Sequence, residues 1–342
     1  MDEIKNYYKN KIILVTGGAG SIGSHLVKEL LKLNPQSIRV LDNNETGLFD
    51  LERNLNSNLI RPFVGDIRDK ERLKRAVEGV EIVFHTAALK HVPLCEYNPF
   101  EAIKTNVIGT QNLIEASIDE NVEKFITIST DKAVNPINVM GATKLLSERL
   151  TISSNYYKGE KNTALSCVRF GNVLDTRGSV IPIFRDQILN GNDITITDPE
   201  MTRFIMKISE STSLILKAAR LAQGGEIFIL KMPVVRISDL AEVMVKKLSC
   251  PDSSKSPEIK IIGKRIGEKL YEELMTIEES ENAYEDKHMF IVKPPVLEIA
   301  EDTNYEMPNS FKKTEVKNYN SKNMPLLNKE EIKILINDSL CM

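Results

Sequence analysis

Several residue types and patterns are scarce in this chain of 342 residues, and each scarcity excludes a class of protein. The chain has no tryptophan and only four cysteines, which lie far apart and form no CxxC motif. That spacing excludes a disulfide framework and a cysteine zinc site, and it favours a reducing, cytoplasmic compartment. Lysine and arginine number 45 against 48 acidic residues, a net charge of −3. No general basic field is therefore available for nucleic acid or for an acidic membrane.

Long apolar runs are also missing from the sequence. No run approaches the roughly 18 residues that a membrane-spanning helix requires, so we expect no membrane partner. The first residues, MDEIKNYYKNK, are polar and lack the apolar stretch of a secretory signal. Hydrophobic residues make up 42% and charged residues 27%, which is typical of a globular protein. The length corresponds to about two domains.

Short apolar runs alternate with amphipathic segments through the first half of the chain. The strand-like runs lie at Lys11–Val15, Ile38–Leu41, Ile60–Val64, Ile82–Phe84, Phe125–Ile128 and Leu165–Phe170. Asp69 and Asn98 are predicted to begin two of the intervening helices. Continuous apolar strands that alternate with helices indicate a parallel sheet covered on both faces. We therefore predict an α/β fold with a Rossmann-type doubly wound sheet over residues 1–170.

The second half of the sequence predicts a smaller α/β domain for the substrate. Residues 171–295 are expected to form it, with parts that return to the first sheet. Ser238 and Asn328 are predicted helix caps in this half. Residues 296–342 are predicted to form a C-terminal tail with surface or oligomer contacts, because Asn304–Asn323 is rich in Asn, Lys and Pro.

A glycine-rich turn, TGGAGSIG, follows the first strand and precedes the first predicted helix. Gly17, Gly20 and Gly23 would permit a tight turn, a close approach of backbone to a pyrophosphate, and close packing of helix on sheet. The amides and the positive end of the helix dipole suit phosphate. Asp42, at the end of the second strand, would accept both ribose hydroxyls and repel a 2′-phosphate, which favours NAD over NADP. Asp66 is predicted either to receive the adenine amino group or to cap a helix.

The sequence resembles a known family at several motifs. TGGAGSIG, GDIRD, HTAALKHVP, STDKAVNPINVMGATK and RFGNV are similar to extended short-chain dehydrogenases/reductases. The run from Lys11 to about Leu274 is similar to 4,6-dehydratases of UDP-N-acetylglucosamine, enzymes of polysaccharide and flagellin-glycan biosynthesis. The resemblance implies bound NAD, a UDP-N-acetylhexosamine substrate and a homo-oligomer. It also implies these further cofactor contacts: Ser21, Ile22, Ile67, Ala87, Ala88 and Lys144.

The loop after the fifth strand, Ser129-Thr130-Asp131-Lys132, carries the chemistry that the resemblance implies. Ligands of open α/β sheets bind beyond the carboxyl ends of the strands, so this loop faces the cofactor. In the family's reaction, NAD oxidises the sugar at C4, and Lys132 would then remove the acidified C5 proton. Asp131, protonated, would donate to the departing C6 hydroxyl, and the hydride returns to C6. The bland alternative is that Asp131 and Lys132 form a solvated loop pair.

The next helix carries Met140 and Lys144, four residues apart and hence on one face. Lys144 would bind the nicotinamide ribose and favour alkoxide formation through its charge. Met140 occupies the position where most relatives have a tyrosine base, and a thioether has no titratable proton. We therefore predict that Thr130 relays the C4 hydroxyl proton towards Asp131 or Lys132.

The remaining predicted residues bind substrate. The resemblance assigns phosphate, uridine or ribose contacts to Asn172, Arg177, Ser179, Arg203, Arg265 and Glu268. Lys90 and His91 are predicted either to line the substrate phosphate path or to be structural. Arginine suits phosphate because its planar fork gives two hydrogen bonds. No metal site is predicted.

Three activities stay open on the sequence. The first is a 4,6-dehydratase, with inversion at C5 preferred to retention. The second is a UDP-sugar 4-epimerase, which needs no C5 base. The third is a catalytically silent NAD-binding regulator, with Met140 as the trace of a lost base.

Overall fold

The computed structural model describes residues 2–174, 176, 178–248, 257–294 and 305–337. The helices are α1 (Asp2–Tyr8), α2 (Ser21–Leu31), α3 (Glu45–Leu55), α4 (Lys70–Val77), α5 (Val92–Tyr97), α6 (Pro99–Ile103), α7 (Gly109–Asp119), α8 (Val139–Tyr157), α9 (Val180–Leu189), α10 (Ile208–Leu221), α11 (Ile237–Leu248), α12 (Ile277–Ser280) and α13 (Lys329–Leu335). A π-helical turn, Lys104–Ile108, joins α6 to α7, and a 3-10 turn, Asp131–Ala133, follows the fifth strand.

The strands form one large sheet and three small ones. They are β1 (Ile12–Thr16), β2 (Ser37–Asp42), β3 (Ile60–Val64), β4 (Ile82–His85), β5 (Lys124–Thr130), β6 (Ala164–Phe170), β7 (Asn172–Val173), β8 (Ile194–Ile196), β9 (Thr202–Met206), β10 (Ile227–Leu230), β11 (Val234–Arg236), β12 (Ile259–Ile261), β13 (Glu273–Met275), β14 (Ala283–Glu285), β15 (Met289–Val292), β16 (Lys312–Lys313) and β17 (Tyr319–Asn320). The small sheets are β11-β9-β7, β12-β8 and β13-β17.

The large sheet has ten strands in the order β16-β14-β15-β10-β6-β5-β4-β1-β2-β3. The strands from β3 to β10 in that order run parallel, and β15, β14 and β16 extend one edge antiparallel. The segment 3-2-1-4-5-6 is the doubly wound dinucleotide-binding order, so the predicted α/β fold is confirmed. The chain leaves β1 towards one edge and returns at β4 towards the other. A crevice for a ligand therefore opens at the carboxyl ends of β1 and β4.

Helices cover both faces of the large sheet. Leu26 and Leu30 of α2 pack with Ile215 of α10 in one hydrophobic cluster. Leu73 of α4 and Leu113 of α7 belong to a second cluster on strands β1, β4 and β5. A further core lies between α9, α11 and α13 in the smaller C-terminal region. Both faces are thus dry, which explains why the central strands are continuous apolar runs.

The C-terminal segment differs from the predicted surface tail. β16 pairs with β14 at the edge of the large sheet, and β17 pairs with β13. Phe311, Tyr319 and Ile332 are buried in the two cores. Phe311 and Tyr319 stand singly among polar residues, so they create no periodicity that a sequence reading can detect. Ile332 lies in the helix that Asn328 was predicted to begin. The parts of the predicted tail at 296–304 and 338–342 lie outside the described residues.

Four predicted helix starts can be compared with the structure. Asp69 and Asn328 cap α4 and α13 through their side chains, as predicted. Asn98 precedes α6, but its amide donates to a carbonyl of α5 instead of capping. Ser238 lies inside α11 and donates its hydroxyl to the Pro199 carbonyl. The start of a helix at Asn98, with Pro99 next, is therefore confirmed without a side-chain cap, whereas the cap at Ser238 was wrong. In both cases a neighbouring carbonyl competes for the short polar side chain.

A buried charged cluster connects α8 to the C-terminal region. Arg169 of β6 is 2% exposed and makes hydrogen bonds of 2.7–3.0 Å with Glu148 of α8 and Glu279 of α12. Burial would lower the pKa of Arg169, but the two carboxylates outweigh it and raise the pKa above its ordinary value. Burial opposes the charged form of Glu279 as well, yet Arg169 holds the pKa of Glu279 below its ordinary value.

Replacing Arg169 with Met tests this cluster. The change leaves two buried carboxylates without their partner, so the free energy of unfolding should fall by about 3–5 kcal/mol at neutral pH. The lowered pKa of Glu279 stabilises the wild type above the ordinary glutamate pKa, and this contribution disappears as pH falls. The difference in free energy of unfolding between wild type and Arg169→Met, measured by urea unfolding, should therefore shrink towards acid pH. The control is Arg75→Met, which changes an exposed residue of α4. Its free energy of unfolding should stay within about 0.5 kcal/mol of the wild-type value. A small, pH-independent loss at Arg169 would contradict this account.

Candidate functional site

A cavity of about 520 Å³ lies in the crevice at the carboxyl ends of β1, β2 and β4. Ten of the predicted cofactor residues line it: Gly17, Gly20, Ser21, Ile22, Gly23, Asp42, Asp66, Ile67, Ala87 and Ala88. These residues come from four separate loops, and the topology brings them together at one place. The cavity thus has the position and the lining that the glycine motif predicts for a dinucleotide.

Two glycines of the motif are required by close approaches. Gly17 has φ +66°, and a Cβ atom there would lie 2.6 Å from backbone atoms of Ala87. A Cβ atom on Gly23 would lie 2.3 Å from the carbonyl oxygen of Gly17. Side chains at these positions would push α2 and the β4 loop away from the turn. Gly20 gives α2 no side-chain cap, and the first turn of that helix lines the cavity, which suits an anionic group.

Asp42 is fixed at the end of β2. One carboxylate oxygen accepts the Ala19 amide at 2.9 Å, and the other accepts the Asn44 amide at 2.9 Å. The carboxylate therefore connects the glycine turn to the start of α3. It lines the cavity with lone pairs still available, as a ribose contact requires.

Asp66 has a partner that the sequence reading missed. Arg68 contacts Asp66 at 2.6 Å and Glu101 at 2.7 Å, and all three side chains line the cavity. The hydrogen bond from Arg68 lowers the pKa of Asp66. The alternative that Asp66 caps the following helix is wrong, because Asp69 does so.

A second cavity, of about 260 Å³, adjoins the first. The two share the lining residues Ile22, Thr86, Ala88, Leu89, Lys90, His91 and Thr176. Eight predicted catalytic or substrate residues line the second cavity: Lys90, His91, Thr130, Lys132, Met140, Lys144, Asn172 and Ser179. Four of the five predicted catalytic residues, all except Asp131, thus border a hollow next to the nucleotide cavity.

Thr130, Asp131 and Lys132 form one hydrogen-bonded unit. The Thr130 hydroxyl donates to Asp131 Oδ1 at 2.8 Å, and Lys132 Nζ donates to the same oxygen at 2.9 Å. Burial would lower the pKa of Lys132, but the carboxylates of Asp131 and Glu272 outweigh it and raise the pKa. Lys132 is therefore an ammonium group in the ligand-free site at neutral pH.

The burial of Asp131 corrects one predicted role. Asp131 is 0% exposed and does not line the second cavity, whereas Thr130 and Lys132 line it. Its Oδ2 atom has no hydrogen-bond partner among the described residues. Asp131 thus has no surface for direct donation to a sugar hydroxyl, and only its hydrogen bonds with Thr130 and Lys132 connect it to the cavity.

Lys144 and Met140 occupy the wall of the second cavity formed by α8. Lys144 Nζ donates to the Ile128 carbonyl at 2.6 Å, and burial lowers its pKa. Met140 packs with Cys95 and Ala102 in a small apolar cluster. The position of the usual tyrosine is therefore filled by an apolar side chain.

Three predicted substrate residues of the described chain, Arg203, Arg265 and Glu268, line neither cavity. The Arg203 guanidinium donates to the carbonyls of Thr202, Lys269 and Leu270. These bonds hold the segment that contains RIGEK, so both terminal nitrogens of Arg203 are already bonded within the fold. Arg265 is exposed, and its amide donates to the Glu268 carboxylate. Arg177 lies outside the described residues.

Glu272, three residues after RIGEK, is a site residue that the sequence analysis missed, and bonds made by RIGEK bring it there. Lys269 donates to the Val134 carbonyl at 2.7 Å, and Asn138 donates to the Gly267 carbonyl at 2.9 Å. These bonds dock the segment on the loop that carries Lys132. Glu272, the first glutamate of EELM, thereby comes within 3.6 Å of Lys132.

The described residues contain no group of three His, Cys, Asp or Glu side chains that could hold a metal ion. None of the helices in the same residues combines the length and the apolar character needed to cross a bilayer. The cytoplasmic location and the homo-oligomer remain predictions.

Comparison with known proteins identifies relatives over nearly the whole chain. A Methanocaldococcus jannaschii protein, named an uncharacterized membrane protein, is 62% identical over 98% of each chain. An inverting UDP-N-acetylglucosamine 4,6-dehydratase of Campylobacter jejuni is 41% identical over 88% of each chain. A UDP-glucose 4-epimerase of Rickettsia rickettsii is 39% identical over 96% of each chain.

Solved structures agree with the fold. The X-ray structure of Pen from Bacillus thuringiensis has a TM-score of 0.90 at 41% identity and covers 98% of this chain and 100% of its own. A UDP-glucose 4-epimerase of Thermus thermophilus, in complex with NAD, has a TM-score of 0.63 at 25% identity, covering 75% of this chain and 88% of its own. The family model of polysaccharide biosynthesis proteins matches residues 13–294. The chain therefore belongs to the polysaccharide biosynthesis family of extended short-chain dehydrogenases/reductases.

Proposed function

We propose that this protein is an NAD-dependent UDP-N-acetylglucosamine 4,6-dehydratase that inverts C5 and forms a UDP-4-keto-6-deoxy-hexosamine. The observation that carries the proposal is the hydrogen-bonded unit of Thr130, Asp131 and Lys132 beside a hollow that adjoins the nucleotide cavity. The Campylobacter jejuni relative, named as the inverting enzyme, supports both the reaction and its stereochemistry.

NAD is the cofactor, and the residues of the first cavity fit it. The glycine turn leaves room for a pyrophosphate at the start of α2, and the Asp42 carboxylate stands where a ribose requires an acceptor. When bound, NAD would supply the redox chemistry of the reaction, the oxidation at sugar C4 and the reduction at C6. Lys144, on the wall of the second cavity, would bind the nicotinamide ribose.

Protons are handled by residues of the chain itself. Met140 cannot accept the C4 hydroxyl proton, so Thr130 accepts it and passes its own proton to Asp131, to which it is already bonded. Asp131 then holds the proton that the C6 hydroxyl needs in order to leave as water, and it returns that proton by the same route. Lys132, after it has released its own proton to solvent, removes the proton at C5. Once the hydride has reached C6, a proton is added back to C5 from the opposite face, which gives the inversion. Such acid and base steps contribute about 10²–10⁴-fold each.

A 4-epimerase is the second candidate. The Rickettsia rickettsii relative with that name favours it, since the alignment covers 96% of each chain. An epimerase oxidises C4 and reduces it from the other face, so it uses no base at C5. Lys132 would then line the hollow without a role in the chemistry.

Incubation with UDP-N-acetylglucosamine and NAD tests the proposal. We expect a nucleotide sugar that has lost one water and shows the 4-keto-6-deoxy pattern in proton NMR. Lys132→Ala should reduce its formation by about 100-fold or more, because the C5 proton then has no base.

The control for that experiment is Lys74→Ala, which removes an exposed amine on α4 and should leave the rate unchanged. Formation of only the C4 epimer, equally fast in Lys132→Ala, would establish the epimerase instead. Absence of any product would favour a regulatory protein.

Replacing Asp42 with Asn tests the cofactor preference. The change removes the negative charge that opposes a 2′-phosphate while it retains one acceptor oxygen. The ratio of NAD affinity to NADP affinity, measured by titration calorimetry, should therefore fall about tenfold or more. Asp50→Asn, on α3 outside the cavity lining, should leave the ratio unchanged. An unchanged ratio in Asp42→Asn would show that Asp42 does not set the preference.

A further inference from the structure

Glu272 lies close to Lys132 but, unlike Lys132, does not line the substrate hollow. The Glu272 side chain is 3% exposed, and its Oε1 atom lies 3.6 Å from Lys132 Nζ. The same oxygen lies 3.7 Å from Nε of Arg203. Its Oε2 atom is buried and has no hydrogen-bond partner among the described residues. Lys132, which lines the cavity, is therefore close to two buried carboxylates, Asp131 and Glu272.

The backbone of Glu272 is fixed by the C-terminal segment. Its amide donates to the Ser321 hydroxyl at 2.9 Å, and the Ser321 amide donates to the Glu272 carbonyl at 2.8 Å. The Ser321 hydroxyl also lies 2.9 Å from the Thr202 hydroxyl, next to Arg203. The distance between Glu272 and Lys132 is thus set by the packed fold and not by a free loop.

We propose that Glu272 is a positioning residue for the reaction: its carboxylate holds the Lys132 amine at the cavity wall and sets the pH at which that amine becomes a neutral base. This inference rests on the proposed function, because it concerns the base that removes the C5 proton. It adds a residue from a distant part of the sequence to the unit formed by Thr130, Asp131 and Lys132.

The charges around the two groups determine the sign of the effect. Lys132 faces the carboxylates of Asp131 and Glu272, which favour its charged form, and Arg203, which opposes it. Glu272 in turn faces Lys132, Asp131, Arg203 and Lys269. Burial raises the pKa of Glu272, and a buried carboxylate at this distance interacts strongly with an ammonium group. Removing the Glu272 charge must therefore make Lys132 lose its proton at lower pH.

Glu272→Gln and Glu272→Asp test the inference in the full-length protein. The pKa of Lys132 is read from the pH dependence of its labelling by acetic anhydride, followed by mass spectrometry of the peptide. Gln is nearly isosteric but uncharged, so the pKa of Lys132 should fall by about one unit or more. Asp withdraws the charge by one methylene and should give a smaller fall. The rising limb of the pH profile of kcat for dehydration should move to lower pH in the same order.

The neighbouring Glu273→Gln is the matched control. Its carboxylate makes its hydrogen bonds with Asn135 and Asn318, so the pKa of Lys132 should not move. If Glu272 were only structural, the isosteric Gln would be silent and the shorter Asp disruptive, and that order would overturn the inference. An unchanged or higher pKa of Lys132 in Glu272→Gln would also overturn the inference. If that variant does not fold, Glu272→Asp decides alone: a lower pKa of Lys132 supports the inference, and an unchanged or higher one overturns it. If wild type makes no dehydrated product, the proposed function fails, while the labelling still decides the role of Glu272.

Discussion

The ion pair between Lys132 and the fully buried Asp131 is the interaction on which the rest of the site depends. A carboxylate at 0% exposure is costly unless it is paired and hydrogen-bonded. Thr130 and Lys132 supply two hydrogen bonds to it, and both side chains also reach the second cavity. The stability of this loop and its reactivity therefore have the same origin. A charge that the fold must neutralise is connected to a hollow where a sugar would lose and gain protons.

The absence of a tyrosine becomes intelligible in this setting. Met140 fills an apolar cluster with Cys95 and Ala102, so the wall of the hollow stays packed without a phenol. Thr130 is the hydroxyl of this site that is already bonded to an internal base. In the proposed reaction, the proton released at C4 and the proton needed at C6 would be the same proton, held by Asp131 between the two steps. Lys132 would then act at C5 alone.

The sequence predicted those parts of the molecule that local pattern determines. The doubly wound parallel sheet, the close approaches at Gly17 and Gly23, and the position of Asp42 follow from short apolar runs and one motif. What escaped prediction depends on contacts between distant segments: the burial of Asp131, the use of Arg203 as an internal clamp, the pairing of Asp66 with Arg68, and the return of the C-terminal segment to the sheet. Polar residues carry no local sign of whether their partner is solvent, ligand or protein. A resemblance assigns them by analogy, and only packing shows which donors are already used.

A crystal structure of the protein with NAD and UDP-N-acetylglucosamine measures the central claim most directly, through the distance from Lys132 Nζ to C5 of the sugar. The account predicts a distance of about 3–3.5 Å, with the Thr130 hydroxyl hydrogen-bonded to the C4 hydroxyl. A sugar bound with C5 beyond about 6 Å of Lys132 and with C4 remote from Thr130 would contradict it, because neither proton transfer could then occur directly.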